Sequence, residues 1–289
     1  DWEFYPKLLR AIKKEVPQIH IHAFSPVEIW YGAKLANLSY KEFLKMLKEA
    51  GLDSIPGTAA EILDDEIRQI ISPGRISTAE WIEIIKTAHK LGIPSTSTIM
   101  YGHIEKEIHR AKHLLILKEI QKETKGFTEF IPLSFVHKEA PMYKYKLIDG
   151  VKAGPSGEEI VALYATSRIV LNHYIRNIQV SWVKEGPKFA QFLLNCGAND
   201  FGGTLINESI SSAAGANYGQ FLSPKEIRRL IFDAGRIPAQ RTTKYEIIKV
   251  FKSPVEKGSE PIEEIEWSEE RFGSYFRLIK DERYKYKKW

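Results

Sequence analysis

Short apolar runs in this chain are each followed by a polar, glycine-containing signature. The alternation of strand-like runs with segments of helical spacing implies a parallel sheet with helical crossovers. Polar groups that follow buried strands are what a (β/α) barrel uses to build an active site at one mouth. The signatures are IHIHAFSPVEIW (residues 19–30), GLDSIPGTAAEIL (51–63), STSTIMYGH (95–103), GFTEFIPLSFV (126–136) and NCGANDFGGTLINESI (195–210).

The predicted elements form about six βα units. Strands are predicted at 19–24, 52–55, 93–100, 127–135, 178–180 and 198–201, and helices at 4–16, 40–50, 59–71, 78–91, 104–124, 158–174, 187–194 and 224–234. We therefore predict an α/β fold, a (β/α)8 TIM-type barrel. A closed barrel has eight units, so we expect that it lacks its first one or two here. The predicted domains are a barrel over 1–245 and a C-terminal extension over 246–289, with a strand at 245–251 and an aromatic-rich end.

Charge, hydropathy and cysteine content restrict the function classes. The net charge is +5, but the 42 basic and 37 acidic residues are interspersed, apart from a short tail with Lys285, Lys287 and Lys288. We therefore expect no nucleic-acid partner. No apolar run approaches the roughly 20 residues of a membrane helix, so no membrane span is expected. Cys196 is the single cysteine. This excludes an internal disulfide, fits a cytoplasmic location, and means that a cluster held by several cysteines cannot be complete in this chain.

Histidines and a serine occupy the first predicted strand and its end. Side chains alternate along a strand, so His20, His22 and Phe24 are predicted to share one face. His22 and Ser25 lie toward the carboxyl end, where a barrel binds its ligands. The alternative is that the histidines are hydrogen-bonded core residues.

A carboxylate and a guanidinium follow the second signature. Glu61 and Arg68 are seven residues apart on a predicted helix, hence on one face, and could hold the zwitterionic end of an amino acid. The preceding Pro56-Gly57-Thr58 turn would form an anion-binding helix N-terminus. The alternative is two solvated helix residues.

The third and last signatures add further candidates. Tyr101-Gly102-His103 ends a strand, and we take His103 as a functional residue. Glu105, His109 and His113 have a spacing that can bind zinc on a helix, but a surface face is the preferred interpretation. At the last strand the candidate turn contains Asn199, Asp200, Gly202 and Gly203, and Asn207 and Glu208 follow it. The glycines permit close approach of the backbone to a ligand.

Taken in order, these segments closely resemble a family of radical S-adenosylmethionine (SAM) enzymes. The resemblance rests on HAFSPVEI, GLDSIPGTAAEIL, TIMYGH, GFTEFIPLSFV, GANDFGGTL, NESIS, AAGA and AGRIPAQRTTKY. The most similar family is that of the second subunit of FO synthase, which makes a deazaflavin chromophore. The radical SAM enzymes of menaquinone synthesis by the futalosine pathway share the GLDS-PG and GANDFG-like themes.

The resemblance implies a reaction, its cofactors and its partners. A 4Fe-4S iron–sulfur cluster would cleave SAM to a 5′-deoxyadenosyl radical, which would abstract hydrogen from L-tyrosine. The 4-hydroxybenzyl fragment would then pass to 5-amino-6-(D-ribitylamino)uracil. FO synthase subunit 1 (CofG) would close the deazaflavin ring.

Residue roles follow from the resemblance as hypotheses. The residues expected to act in catalysis are His22, His103 and Asp200. Those expected to bind the cofactor SAM are Ser25, Glu61, Arg68 and Tyr101. Those expected to bind substrate are Glu129, Asn199, Gly202 and Gly203.

The sequence departs from the family in its cysteines. The family binds its cluster through a Cys-x-x-x-Cys-x-x-Cys loop after the first barrel strand, and this chain has no such motif. We expect those cysteines upstream of Asp1 and the chain alone to be inactive. Two alternatives stay open: a menaquinone-pathway enzyme acting on a futalosine derivative, and a non-catalytic scaffold subunit.

Overall fold

The structure is a computed structural model that describes residues 1–206, 208, 210–218, 221–258, 261–265 and 280–282. Its helices are α1 (Phe4–Glu15), α2 (Pro26–Ala36), α3 (Tyr40–Glu49), α4 (Asp65–Ile71), α5 (Thr78–Lys90), α6 (Glu107–Thr124), α7 (Pro141–Lys144), α8 (Gly157–Leu171), α9 (Trp182–Glu185), α10 (Pro187–Leu193), α11 (Ile210–Ala213) and α12 (Pro224–Asp233), with a 3-10 helix at Pro261–Glu264. Its strands are β1 (Ser95–Tyr101), β2 (Phe127–Ser134), β3 (Ala239–Arg241) and β4 (Ile247–Val250).

The central sheet is parallel and follows chain order. β1 pairs with β2 in parallel, with Thr98 opposite Ile131. Single parallel bridges extend this pair on both sides: His22 to Ser54, Ile55 to Ser95, Phe130 to Ile178, and Gln179 to Asp200. Six extended segments therefore lie side by side, as the alternation of elements predicts.

Local sequence signals set most helix starts. Ser39 and Ser77 cap α3 and α5, and in each case a glutamate three residues later bonds back to the cap, as in a capping box. Ser25 and Glu28 form the same pair at the start of α2. No helix was predicted over α2, because its polar and apolar residues have little one-sided periodicity.

The core lies between the sheet and the outer helices. Trp81 of α5 is fully buried and stacks near Phe127 of β2, with ring centroids 6.5 Å apart. His89 of α5 bonds Ser95 of β1 (Nε2 to Oγ, 2.8 Å). Because side chains alternate along a strand, every second side chain of β1 faces the helices as Ser95 does, and the side chains between them face the barrel interior. No helix in these described ranges is both long and apolar enough to cross a membrane.

A C-terminal hairpin completes the described fold. β3 and β4 pair antiparallel, so the hairpin begins before the domain boundary predicted at residue 245. The hairpin contacts the sheet through Arg241, which pairs with Asp200, and through Tyr245, which bonds Glu129. Several predicted features lie outside the described residues: the aromatic side chains of the C-terminal end (Trp267, Phe272, Tyr275, Phe276, Tyr284, Tyr286 and Trp289), the tail lysines Lys285, Lys287 and Lys288, and Asn207.

Candidate functional site

Two histidines of the first segment converge on one hydroxyl. His20 Nε2 lies 2.7 Å and His22 Nδ1 2.6 Å from Ser54 Oγ. A hydroxyl carries one proton, so Ser54 donates to one ring and accepts from the other. The predicted shared face of these two histidines is confirmed, and His22 is exposed while Ile21 between them is buried. The shared face does not extend to Phe24 as predicted. The backbone of Phe24 is left-handed (φ 64°), and its ring packs on Tyr5.

Ser25 is engaged in capping. Its hydroxyl donates to Glu28 Oε2 at 2.6 Å, and its backbone N–H donates to the same oxygen at 2.8 Å. The side chain is buried. Its role in the structure is to fix the start of α2, directly after the histidine segment.

The predicted pairing of Glu61 and Arg68 on one helix face is wrong. The helix begins only at Asp65, and Glu61 precedes it with a left-handed backbone (φ 41°). The chain turns here instead of winding, so the two-turn spacing does not apply. Arg68 is 3% exposed, and burial lowers its pKa. Its guanidinium donates to the backbone carbonyls of Ala59, Ala60 and Ile76. It holds this loop together.

Gly57 lies where only a glycine fits. Its N–H donates to Thr96 Oγ1 (2.9 Å), and its carbonyl accepts from Thr98 Oγ1 (2.8 Å). A Cβ at this position would lie 2.1 Å from the carbonyl oxygen of Thr96. The turn therefore packs directly on β1. The predicted anion site does not form here, because the Gly57 N–H is already bonded to Thr96.

Substitution of Gly57 by alanine is expected to lower the free energy of unfolding by about 1–3 kcal/mol, because the β1 backbone must move to admit the methyl group. Denaturant titration monitored by circular dichroism measures this. Gly157→Ala is the matched control, since the nearest atom to its Cβ would be 3.9 Å away. Equal stability of the two variants would contradict the packing argument.

Tyr101 and His103 lie in the wall between sheet and helices. Both are fully buried. Ser134 Oγ donates to the buried Glu185 and is hydrogen-bonded to the Tyr101 hydroxyl at 3.1 Å. The His103 ring donates from Nε2 to the Met100 carbonyl (3.1 Å) and accepts at Nδ1 from the N–H of Ile104 (2.8 Å). Both ring nitrogens are used within the turn, which does not fit the predicted catalytic role.

The helical histidine spacing serves packing. His113 is buried, and its Nδ1 accepts from the N–H of Leu63 at 3.1 Å. Burial lowers its pKa to about 3, so the ring is neutral. His109 Nδ1 accepts from the N–H of Lys106 at the start of α6. Nowhere in the described ranges do three or more His, Cys, Asp or Glu residues group as metal ligands. The predicted surface face is wrong for Glu105 and His113, because both side chains are buried against the rest of the fold.

A large cavity lies along the last sheet segment. Its volume is about 1120 Å³, above the 300–1,000 Å³ of most ligand pockets. Four predicted residues line it: Asn199, Asp200, Gly202 and Gly203. Both glycines are left-handed (φ 81° and 85°), and nothing lies within 4 Å of a Cβ at Gly203. The structure thus brings these four residues together at one open surface.

Asn199 contributes to this wall through its amide oxygen. Oδ1 accepts from Arg168 of α8 and from the N–H of Ile178, both at 2.8 Å. Arg168 also donates to the carbonyls of Gly197 and Arg176. These bonds fix the last segment against α8, so Asn199 shapes the cavity as a bonded part of its wall.

Two residues that no prediction assigned a role, Arg241 and Tyr245, connect the hairpin to this wall. The Arg241 guanidinium pairs with Asp200, and the Tyr245 hydroxyl donates to Glu129. Gln179 also donates to Glu129, at 2.7 Å. The QRTTKY stretch contains both hairpin residues, but no local pattern indicates that they reach the sheet.

Burial and neighbouring charges shift the pKa values of Glu129, Arg241 and Tyr245. Burial raises the pKa of the Glu129 carboxyl; nearby Asp200 also raises it, while the Tyr245 hydroxyl and Arg241 lower it. Burial opposes the charge of Arg241, but its bond to Asp200 holds its pKa above the ordinary value. Burial likewise raises the pKa of Tyr245, so the phenol keeps its proton as a donor. Glu129 is near the amino end of β2, so it lies deeper along the sheet than the predicted mouth.

Cys196 also lines the cavity. Its Sγ is 3.7 Å from the Phe192 carbonyl, and burial raises the pKa of its thiol. A raised pKa disfavours the thiolate that binds metals. One such thiol does not fit a centre that requires several cysteines.

Residues 1–116 match the radical SAM superfamily and residues 124–254 match the CofH/MqnC C-terminal region. The chain is 56% identical over 253 residues to the 5-amino-6-(D-ribitylamino)uracil–L-tyrosine 4-hydroxyphenyl transferase of Methanocaldococcus jannaschii, which covers 86% of this chain and 69% of that protein. The protein of the same name from Methanothermobacter thermautotrophicus is 53% identical over 249 residues, covering 86% and 67%. The solved structure of methylornithine synthase (PylB) has a TM-score of 0.53 at 15% identity, covering 83% of this chain and 64% of that one, a likeness in fold alone.

Proposed function

The chain belongs to the radical SAM superfamily and, within it, to the family of 5-amino-6-(D-ribitylamino)uracil–L-tyrosine 4-hydroxyphenyl transferases, and on this basis we propose that it transfers the 4-hydroxybenzyl group of L-tyrosine to 5-amino-6-(D-ribitylamino)uracil. Its fold is the radical SAM barrel type. The reaction is a step in the synthesis of a deazaflavin coenzyme.

One observation in the structure supports this proposal most strongly. Four of the seven residues predicted to act in catalysis or substrate binding, Asn199, Asp200, Gly202 and Gly203, line one cavity of about 1120 Å³. Amide, carboxylate and guanidinium groups in its wall suit substrates rich in hydrogen-bonding groups. Tyrosine and the ribityl-substituted uracil are both of this kind.

Superfamily membership implies use of SAM and a 4Fe-4S cluster. The residues of this chain do not fit that cluster, since Cys196 is the single cysteine. The roles that these residues can serve are to bind the substrates and to keep water out. We assign substrate contacts to Asp200, Gly202 and Gly203, and propose that exposed His22 lines the barrel interior. Arg68, Ser25, Tyr101 and His103 are omitted from the proposed contacts because they are buried, bonded within the fold and outside the cavity lining.

The second candidate is the menaquinone-pathway reaction on a futalosine derivative. This candidate is kept because residues 124–254 match a C-terminal region that CofH shares with MqnC, a radical SAM enzyme of the futalosine pathway. The two candidates differ in substrate. A functional association with FO synthase subunit 1 (CofG) and a cytoplasmic location are part of the first proposal.

The test uses the full-length gene product, reconstituted anaerobically with iron and sulfide and reduced with dithionite. SAM, L-tyrosine and 5-amino-6-(D-ribitylamino)uracil are supplied, and products are followed by mass spectrometry. We expect tyrosine-dependent 5′-deoxyadenosine and a hydroxybenzyl–uracil adduct. SAM cleavage only with a futalosine derivative would support the second candidate, and no cleavage with either, despite an intact cluster, would favour a scaffold.

A further inference from the structure

The C-terminal hairpin supplies a cation and a phenol to a wall of carboxylates. Glu129 and Asp200 lie near each other: burial raises the pKa of the Glu129 carboxyl, and the charge of Asp200 raises it further. Arg241 lies between the two acids, paired with Asp200 and 4.0 Å from Glu129 Oε2. The exposed fractions of the Glu129, Asp200 and Arg241 side chains are 8%, 10% and 23%. Such desolvated charges interact more strongly than surface pairs.

The hairpin turn is shaped to aim these two side chains. Tyr245 has a left-handed backbone (φ 67°), which a non-glycine residue adopts only where its surroundings impose it. The N–H of Tyr245 donates to the Thr242 carbonyl, and the Arg241 guanidinium stacks on the Tyr245 ring at 3.9 Å. The turn thus fixes the two side chains relative to each other, and both reach the sheet.

Arg241 and Tyr245 themselves line the cavity, and Arg241 also affects its shape through Asp200. One oxygen of Asp200 pairs with Arg241, and the other accepts the N–H of Gly202 at 2.7 Å. Gly202 and Gly203 form the glycine turn of the cavity wall. A change at Arg241 therefore frees the carboxylate that holds this turn.

We propose that Arg241 and Tyr245 are positioning residues of the substrate site, which hold Asp200 and Glu129 and through them the Gly202–Gly203 turn. This inference rests on the proposed function for the identity of the ligands. It assigns to the hairpin a part in substrate affinity in addition to any part in stability.

The test measures binding without turnover. Isothermal titration of the full-length gene product, with no reductant present, gives the affinity for L-tyrosine and for 5-amino-6-(D-ribitylamino)uracil. We expect Arg241→Gln to weaken binding of at least one of them by about tenfold or more, because it removes one partner of a desolvated charge pair. Arg241→Lys should restore part of the loss. Tyr245→Phe provides a second probe if Arg241→Gln does not fold.

The control is Arg229→Gln. Arg229 also pairs with two carboxylates, Glu226 and Asp233, but it lies on the exposed face of α12. Its substitution should leave both affinities unchanged. A double-mutant cycle of Arg241→Gln with Asp200→Asn should be non-additive, as expected for residues that act together.

The outcomes separate this inference from the proposed function. Affinities within twofold of wild type in folded Arg241→Gln and Tyr245→Phe would overturn the inference, even if the wild-type protein forms the adduct. Arg241-dependent binding with no adduct from the wild-type protein would support the inference and contradict the proposed reaction. A wild-type protein that binds neither compound would overturn the inference.

Discussion

Replacement of Asp200 by alanine is expected to reduce adduct formation by roughly 100-fold or more. The change removes the partner of a desolvated arginine, for which losses of about 2–5 kcal/mol are typical, and each 1.4 kcal/mol corresponds to about tenfold. It also removes the acceptor of the Gly202 N–H. Charge and geometry of the cavity wall are therefore lost together.

The measurement is the initial rate of adduct formation in the reconstituted full-length gene product, with the thermal unfolding midpoint recorded alongside. Asp200→Asn separates the two effects, since it keeps the shape and an oxygen acceptor but removes the charge. Asp233→Ala is the control, because that carboxylate pairs with Arg229 on the exposed face of α12. Near-normal turnover by Asp200→Ala would remove Asp200 from the site.

Replacement of Arg68 by methionine is expected to lower the free energy of unfolding by about 3 kcal/mol or more. Methionine fills much of the same volume, but the carbonyls of Ala59, Ala60 and Ile76 lose their donor. A buried polar group without a partner costs about 1–3 kcal/mol. The relief of burying a charged group offsets part of this cost.

Denaturant titration tests this prediction and separates two roles for Arg68. A structural residue gives a large loss of stability in Arg68→Met, whereas a SAM ligand gives a loss of SAM affinity with stability unchanged. Arg75→Met is the control, since Arg75 is exposed in the connection after the same helix. Unchanged stability together with lost SAM binding would restore the role predicted from the sequence.

Elements whose signals lie within a few residues were predictable. The capping boxes at Ser39 and Ser77 mark the starts of α3 and α5, because the cap and its glutamate are three residues apart and bond each other in any such helix start. The six sheet segments were predictable because short apolar runs between helices have few other places to be buried. The helix predicted to start at residue 59 begins only at Asp65. The left-handed backbones of Ala59 and Glu61 prevent an earlier start, and neither residue type signals such a conformation in the sequence.

Some residues of the candidate site were likewise predictable from the sequence, and others were not. Asn199, Asp200, Gly202 and Gly203 were identified together because they are neighbours in sequence and stay neighbours in space. Tyr101 is the last residue of β1 and His103 follows it, yet their polar atoms bond within the wall. Whether a side chain at a strand end faces the cavity depends on strand alternation and local turns, and a shift of one residue reverses it.

By itself, the sequence determined the alternation of the six sheet segments with helices, the parallel sheet and the glycine turn at the last segment. Each of these follows from periodicity or from groups a few residues apart. The tertiary structure alone decided that Arg68 holds a loop, and that Arg241 and Tyr245 complete the wall around Asp200 and Glu129. Tyr245 and Glu129 are 116 residues apart along the chain. Contacts over such distances depend on how all the intervening elements pack, and no local pattern encodes them.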